Sequence, residues 1–165
     1  MKRSSKILFG IDPGTQSTGY GVISVTGRQF EALDFGAIRS TAKTPLNTRY
    51  LHIFNELERL LTLHKPDAVS IETQFMSKNA QSALKLGMAR SCAIIAAGRQ
   101  NIPIFEYAPT KAKLAVVGNG GATKSQVQKM IQMLLGLRQL PEPEDAADAL
   151  ALAICHAHNL KSAYV

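Results

Sequence analysis

Four carboxylates spread over three distant segments are the residues of this chain best suited to chemistry: Asp12, Glu72 and the pair Asp145 and Asp148. Each falls where a strand reads as ending or a helix as beginning. In an open α/β sheet such places are where remote segments converge on one crevice. Acidic groups gathered there repel one another unless a cation holds them together. Oxygen-only donors suit a hard divalent ion, Mg²⁺ first, with Mn²⁺ able to substitute. Four carboxylates are enough for two such ions, about 4 Å apart. One would generate and aim hydroxide at a phosphorus atom, and the other would stabilise the leaving 3′ oxygen.

Singly, each residue also has an ordinary explanation. Asp12 opens Asp-Pro-Gly, a common turn sequence. The small residues Gly14, Thr15, Ser17 and Gly19 that follow leave its carboxylate open to a ligand. Glu72 is equally a solvated charge at a strand end. Asp145 suits a first helical turn, where carboxylates meet free N–H groups and the favourable end of the helix dipole. Asp148 fits that role less well, since it lies further in among Ala146, Ala147 and Ala149. Its i, i+3 spacing from Asp145 puts both on one helical face. The alanines let that helix lie close on a sheet. His156 and His158 are about three turns along, too far to join the carboxylates, and read as packing or surface residues.

The elements that must position these groups are legible in the hydrophobic pattern. Lys6–Asp12 and Gly19–Val25 read as strands, and Phe30–Ser40 as a third, with Gly27-Arg28 as a two-residue hairpin turn. Pro45–Leu63 has helical spacing, with Leu46, Tyr50, Ile53, Leu57, Leu60 and Leu61 on one stripe. Ala68–Glu72 is a strand, Asn79–Arg99 an Ala-rich helix and Ile102–Tyr107 the fifth strand. Helices over Pro109–Val117, Lys124–Leu137 and about Glu144–His158 complete the order. This describes an α/β chain with a five-stranded mixed sheet flanked by helices, the ribonuclease-H-like arrangement. The helical crossover before the fourth strand permits it to lie parallel to the first, which would set Asp12 and Glu72 side by side. With no linker or repeat, residues 1–165 read as one domain with its core at about 6–158.

With 19 Lys and Arg against 12 Asp and Glu, the formal charge is +7, which favours a polyanionic partner. Lys78, Lys85, Lys111, Lys113 and Lys124 form a basic set around the carboxylates. Lysines of this kind are commonly a solvated face, but Lys111 and Lys113 follow a strand end and Lys124 a glycine loop, positions suited to phosphate contact. Phe75 lies in the polar stretch after Glu72 and is either a loop aromatic folded inward or a ring that stacks on bases. The apolar run Ile7–Ile11 is too short for a signal peptide, and no run reaches a membrane span. Cys92 and Cys155 fall in apolar helical stretches and read as buried free thiols, in keeping with a reducing cytoplasm. Apolar residues on more than one face of Asn79–Arg99 leave room for a two-fold subunit contact.

The segments FGIDPGTQSTGYGVI, IETQFMSKNAQSALKLGMAR, VVGNGGATKSQVQ and EDAADALALAICHAH together resemble the RuvC family of bacterial Holliday junction resolvases, from about Ile7 to about His158. The resemblance implies a homodimeric, Mg²⁺-dependent endonuclease that nicks two opposed strands of a four-way DNA junction. It places the family's metal ligands on Asp12, Glu72, Asp145 and Asp148, its stacking aromatic on Phe75 and its functional lysines on Lys113 and Lys124. It also implies work alongside a junction-binding protein and a branch-migration motor of the RuvAB type. Two other readings remain: a non-catalytic nucleic-acid-binding module on the same fold, and an actin-like nucleotide-binding enzyme, since GIDPGTQSTG also resembles a phosphate-binding hairpin. The latter would need a second domain to close over nucleotide.

Overall fold

In a computed structural model, residues 5–73 and 79–162 are described, apart from the side chains of 161 and 162. Strands β1 (Lys6–Asp12), β2 (Ser17–Thr26) and β3 (Gln29–Arg39) form an antiparallel meander. Helix α1 (Leu46–His64) crosses over to β4 (Ala68–Glu72), and α2 (Ala80–Arg99) to β5 (Ile104–Tyr107). Helices α3 (Pro109–Val117), α4 (Lys124–Leu135) and α5 (Glu144–Ser162) follow. The sheet order is β3-β2-β1-β4-β5, with β4 parallel to both of its neighbours.

This is the expected mixed sheet, with differences at the element ends. β2 starts earlier than its apolar run, because Ser17 and Thr18 already pair with Arg39 and Ile38. α4 stops at Leu135, where Gly136 takes φ 61° and ends the helix in the left-handed conformation. β5 begins only at Ile104, after Pro103. The hairpin turn needs the positive φ of 61° that Gly27 adopts. On α1 the stripe holds at Ile53, Leu57, Leu60 and Leu61, but Leu46 is exposed, because it stands at the helix start beyond the edge of the packed layer.

The sheet has a core on each face. α1 and α2 cover one, packing Ile53, Leu57 and Ala96 against Phe9, Ile11, Val69 and Ile71. α3, α4 and α5 cover the other, packing Val127, Ile131 and Leu150 against Leu8, Ile23 and Ala68. α5 lies almost on the strand backbones. A Cβ on Gly10 would be driven into the carbonyl oxygen of Ala149, and one on Gly19 into that of Asp145. Gly10 of β1 faces Gly21 of β2, and Asp12 faces Gly19, so the helix lies across a side-chain-free strip of the hairpin.

Gly10→Ala tests this contact. Relief of glycine's chain entropy favours the variant by roughly 0.5–1 kcal/mol, but overpacking against backbone costs about 1–3 kcal/mol. The overlap should win, with a net loss of about 1 kcal/mol in denaturant unfolding. An unchanged midpoint would show that α5 is free to shift.

Candidate active site

Alternation along β1 decides which groups reach the site. Leu8 belongs to the core under α5, and Phe9 and Ile11 to the core under α1 and α2. Gly10 and Asp12 therefore share the α5 face with Leu8. β4 follows the same parity: Val69 and Ile71 face α1 and α2, so Ala68, Ser70 and Glu72 face α5. The parallel register runs from Leu8↔Ala68 to Ile11↔Ile71, and one further step sets Asp12 beside Glu72.

The turn after Asp12 is closed by Thr18, which is fully buried. Its Oγ1 donates to the Gly14 carbonyl at 2.8 Å and accepts from the Gly14 N–H at 3.3 Å. Beside it, Ser17 Oγ donates to Asp145 Oδ2 at 2.5 Å, tying the start of β2 to the first turn of α5. Asp148 lies one turn further along and forms an ion pair with Lys124 at 3.6 Å, while Lys124 also reaches Glu144 at 3.3 Å. Thr123 fixes the start of α4 through a capping box with Gln126, so Lys124 enters the site from the first residue of a well-anchored helix.

The result is a cleft of about 280 Å³ lined by Asp12, Glu72, Asp145 and Asp148 together with Lys113 and Lys124. Its electrostatics are tense. Burial, then repulsion from Glu72, Asp148 and Asp145, pushes the Asp12 carboxyl up to about 8 from an ordinary 3.8. Burial and Asp148 raise Glu72, opposed by Lys124 and Lys113. Burial also raises Asp148, with Lys124 pulling the other way. Asp148 in turn raises Lys124.

The chemistry of the donor set fits a hard divalent cation. The carboxylates supply only oxygen, they share one open cleft, and positive charge there would relieve their repulsion. Among the described residues no three such side chains stand as a ready-made cage. Asp145 is turned to Ser17 and Asp148 to Lys124, so the donors share a cleft without sharing a centre.

Of the sequence-predicted residues, six are brought together: the four carboxylates, Lys113 and Lys124. Lys111 is not among them. Two residues from Lys113 on a helix means roughly the opposite side, and its Nζ lies 5.3 Å from the centre of the Tyr107 ring. Phe75 and Lys78 lie outside the described residues. His156 is a packing residue: buried, stacked on Phe105 at 4.2 Å and hydrogen-bonded through Nδ1 to the Tyr107 hydroxyl at 2.7 Å. His158 packs against Phe30. Cys92 and Cys155 are free and buried. Sequence reasoning missed Ser17 as a partner of Asp145; a hydroxyl in a run of small residues was its only signal.

The chain is similar to known proteins over nearly its whole length. The family model described as Crossover junction endodeoxyribonuclease RuvC matches residues 8–156. The RuvC of Protochlamydia amoebophila is 58% identical over 151 residues, covering 92% of this chain and 90% of that protein. The Thermus thermophilus RuvC structure aligns with a TM-score of 0.87 at 32% identity, covering 95% of this chain and 96% of that one. T. thermophilus RuvC in complex with Holliday junction substrate aligns with a TM-score of 0.91 at 31% identity, covering 96% of each chain. A glycine-seated helix bringing its two aspartates to the ends of β1 and β4, in a chain so matched, leaves one assignment: this chain belongs to the RuvC family of crossover junction endodeoxyribonucleases.

Proposed function

We propose that this chain resolves four-way DNA junctions by metal-dependent hydrolysis of two opposed strands, with Asp12, Glu72, Asp145 and Asp148 as its metal ligands. The carrying observation is the cleft that gathers those four carboxylates with Lys113 and Lys124. Mg²⁺ is the proposed ion, two per site, with Mn²⁺ able to replace it; bound there, it supplies an activated water and stabilises the departing 3′ oxygen.

The protein's own groups do the rest. Lys113 and Lys124 line the mouth as cations and offset the approach of a phosphate to four carboxylates. Lys124 pairs with Asp148 and Glu144 and so offsets part of the negative charge that a bound cation would otherwise have to neutralise. Phe75 is the proposed base-stacking ring, and Lys78 and Lys111 are proposed outlying phosphate contacts.

Symmetric nicking calls for two sites, and α2 is the proposed homodimer contact, with Leu84, Met88 and Ile95 exposed along one stripe. Partners of the RuvAB type, a junction-binding protein and a branch-migration motor, complete the proposal. No helix among the described residues is long and apolar enough to cross a membrane, and the proposed location is the cytoplasm.

A synthetic four-way junction assayed against linear duplex, with Mg²⁺ and with EDTA, tests the activity. Asp148→Asn should abolish nicking and keep junction binding; retained nicking would remove Asp148 from the proposed metal ligands, and a parent that binds junctions without nicking them would favour the non-catalytic binding module. Lys113→Ala should bind more weakly, with a shallower dependence of log K on log salt, by about one ion. Binding identical to the parent at several salt concentrations would remove Lys113 from the DNA contacts.

The raised Asp12 carboxyl sets a pH signature. A carboxylate that is harder to ionise folded than unfolded favours the folded state while protonated. In EDTA its contribution is full below the ordinary value near 3.8 and is lost as pH rises to about 8. Melting temperature in EDTA should therefore fall between pH 6 and 8. Asp12→Asn should melt higher and flatten that slope while losing cleavage. Parallel pH profiles for variant and parent would show that Asp12 is not the strained group.

A further inference from the structure

Arg90 stands on α2, across the sheet from the cleft, yet its side chain ends at the strand that carries Glu72. Its Nη2 pairs with Glu106 Oε1 at 2.6 Å, and its Nε donates to the backbone carbonyl of Glu72 at 3.4 Å. Glu106 is in register with Ile71 and so faces α2, whereas the Glu72 carboxylate faces α5. One guanidinium thus ties α2, the end of β4 and β5 together from behind the site.

Stability is a poor explanation for this arrangement. The Glu106 side chain is 53% exposed, and an ion pair with so wet a partner adds little to folding. Covering Arg90 to 18% exposure carries a desolvation cost as well. What a planar guanidinium offers is a fixed geometry toward two acceptors at once.

Glu72 is the carboxylate that needs such a brace. Asp145 and Asp148 ride on a 19-residue helix, and Asp12 is paired along β2. Glu72 ends a strand of five residues, and beyond it the Thr73 N–H is held by the Tyr107 carbonyl. β5, which supplies that hold, is itself only four residues long and is gripped by Arg90 through Glu106.

We infer that Arg90 is a positioning residue: by holding the Glu72 carbonyl and Glu106 together, it fixes the Glu72 carboxylate for cation binding and makes that placement depend on α2. The inference rests on the metal reading of the cleft proposed above. Because α2 also carries the proposed subunit contact, a displacement of that helix reaches Glu72 through one side chain.

The test is calorimetric titration of the full chain with Mn²⁺ in the absence of DNA, for the parent, Arg90→Gln, Glu106→Gln and Asp148→Asn. Arg90→Gln should weaken Mn²⁺ binding about tenfold or more, as expected when a partner that orients a ligand is lost. It should leave junction affinity in EDTA, and its salt dependence, at parental values. Glu106→Gln removes a half-exposed charge without threatening the fold and should weaken Mn²⁺ in the same direction. Parental Mn²⁺ affinity in both variants overturns the inference. Loss of junction affinity with a shallower salt slope in Arg90→Gln overturns it too, by making Arg90 a phosphate contact. Asp148→Asn separates the two levels: if it binds Mn²⁺ like the parent, the metal reading itself fails, whatever Arg90 does.

Discussion

The seating of α5 on the backbone of the β1–β2 hairpin is the contact on which the rest of this structure depends. Gly10 and Gly19 leave a strip without side chains, and the helix answers with Ala146, Ala149 and Ala153. Side chains of ordinary size on both surfaces would hold a helix about 10 Å from a sheet. With them removed, the first turn of α5 settles within hydrogen-bond reach of Ser17. Asp145 and Asp148 are then carried to the ends of β1 and β4 by rigid geometry rather than by a flexible loop. Steric absence at two strand positions thus becomes the placement of two charges.

Those charges place the cleft under electrostatic strain. Water is partly excluded, so repulsion among the carboxylates is felt more strongly than at the surface. Asp12 yields first, holding its proton to about pH 8. Lys124 offsets part of the repulsion but lies at the rim, where side-chain exposure is 57%. The formal charge of +7 attracts a polyanion at long range, and the negative cleft resists it at short range. A divalent cation bound in the cleft, as proposed, would reconcile the two and give a physical reason for coupling metal and DNA in one site. On that reading, folding free energy is spent on the tension and would be recovered when the ligands bind.

Much of this was legible in the residues. An apolar run stopped by Asp12, and another stopped by Glu72, marked both strand ends, and the crossover through α1 made a parallel pairing possible. Ala146, Ala147 and Ala149 around Asp148 marked a helix built for close approach. The hydrophobic period locates α1 but not its limits of cover: it sets Leu46 on the buried stripe, whereas the folded chain leaves Leu46 exposed at the helix start. Lys111 was grouped with Lys113 by proximity in sequence, and helical geometry separated them. Gly10, Gly19 and Gly21 were visible as glycines, but their reason lies in α5, far along the chain. Ser17 had only a faint local signature, a hydroxyl among small residues, and Arg90 had none, because such groups acquire a role from the partner that folding brings to them.

The Ser17–Asp145 hydrogen bond closes a loop of 128 residues. Half of the carboxylates belong to the first and fourth strands, and the other half arrive only with α5, the last helix of the described chain. Contacts so distant in sequence form late, after the entropy of closing a long loop has been overcome. A nascent or partly unfolded chain therefore holds Asp12 and Glu72 without their counterparts. On the proposed assignment the four carboxylates meet only in the completed tertiary structure, so a chain that has not yet seated α5 lacks the full set.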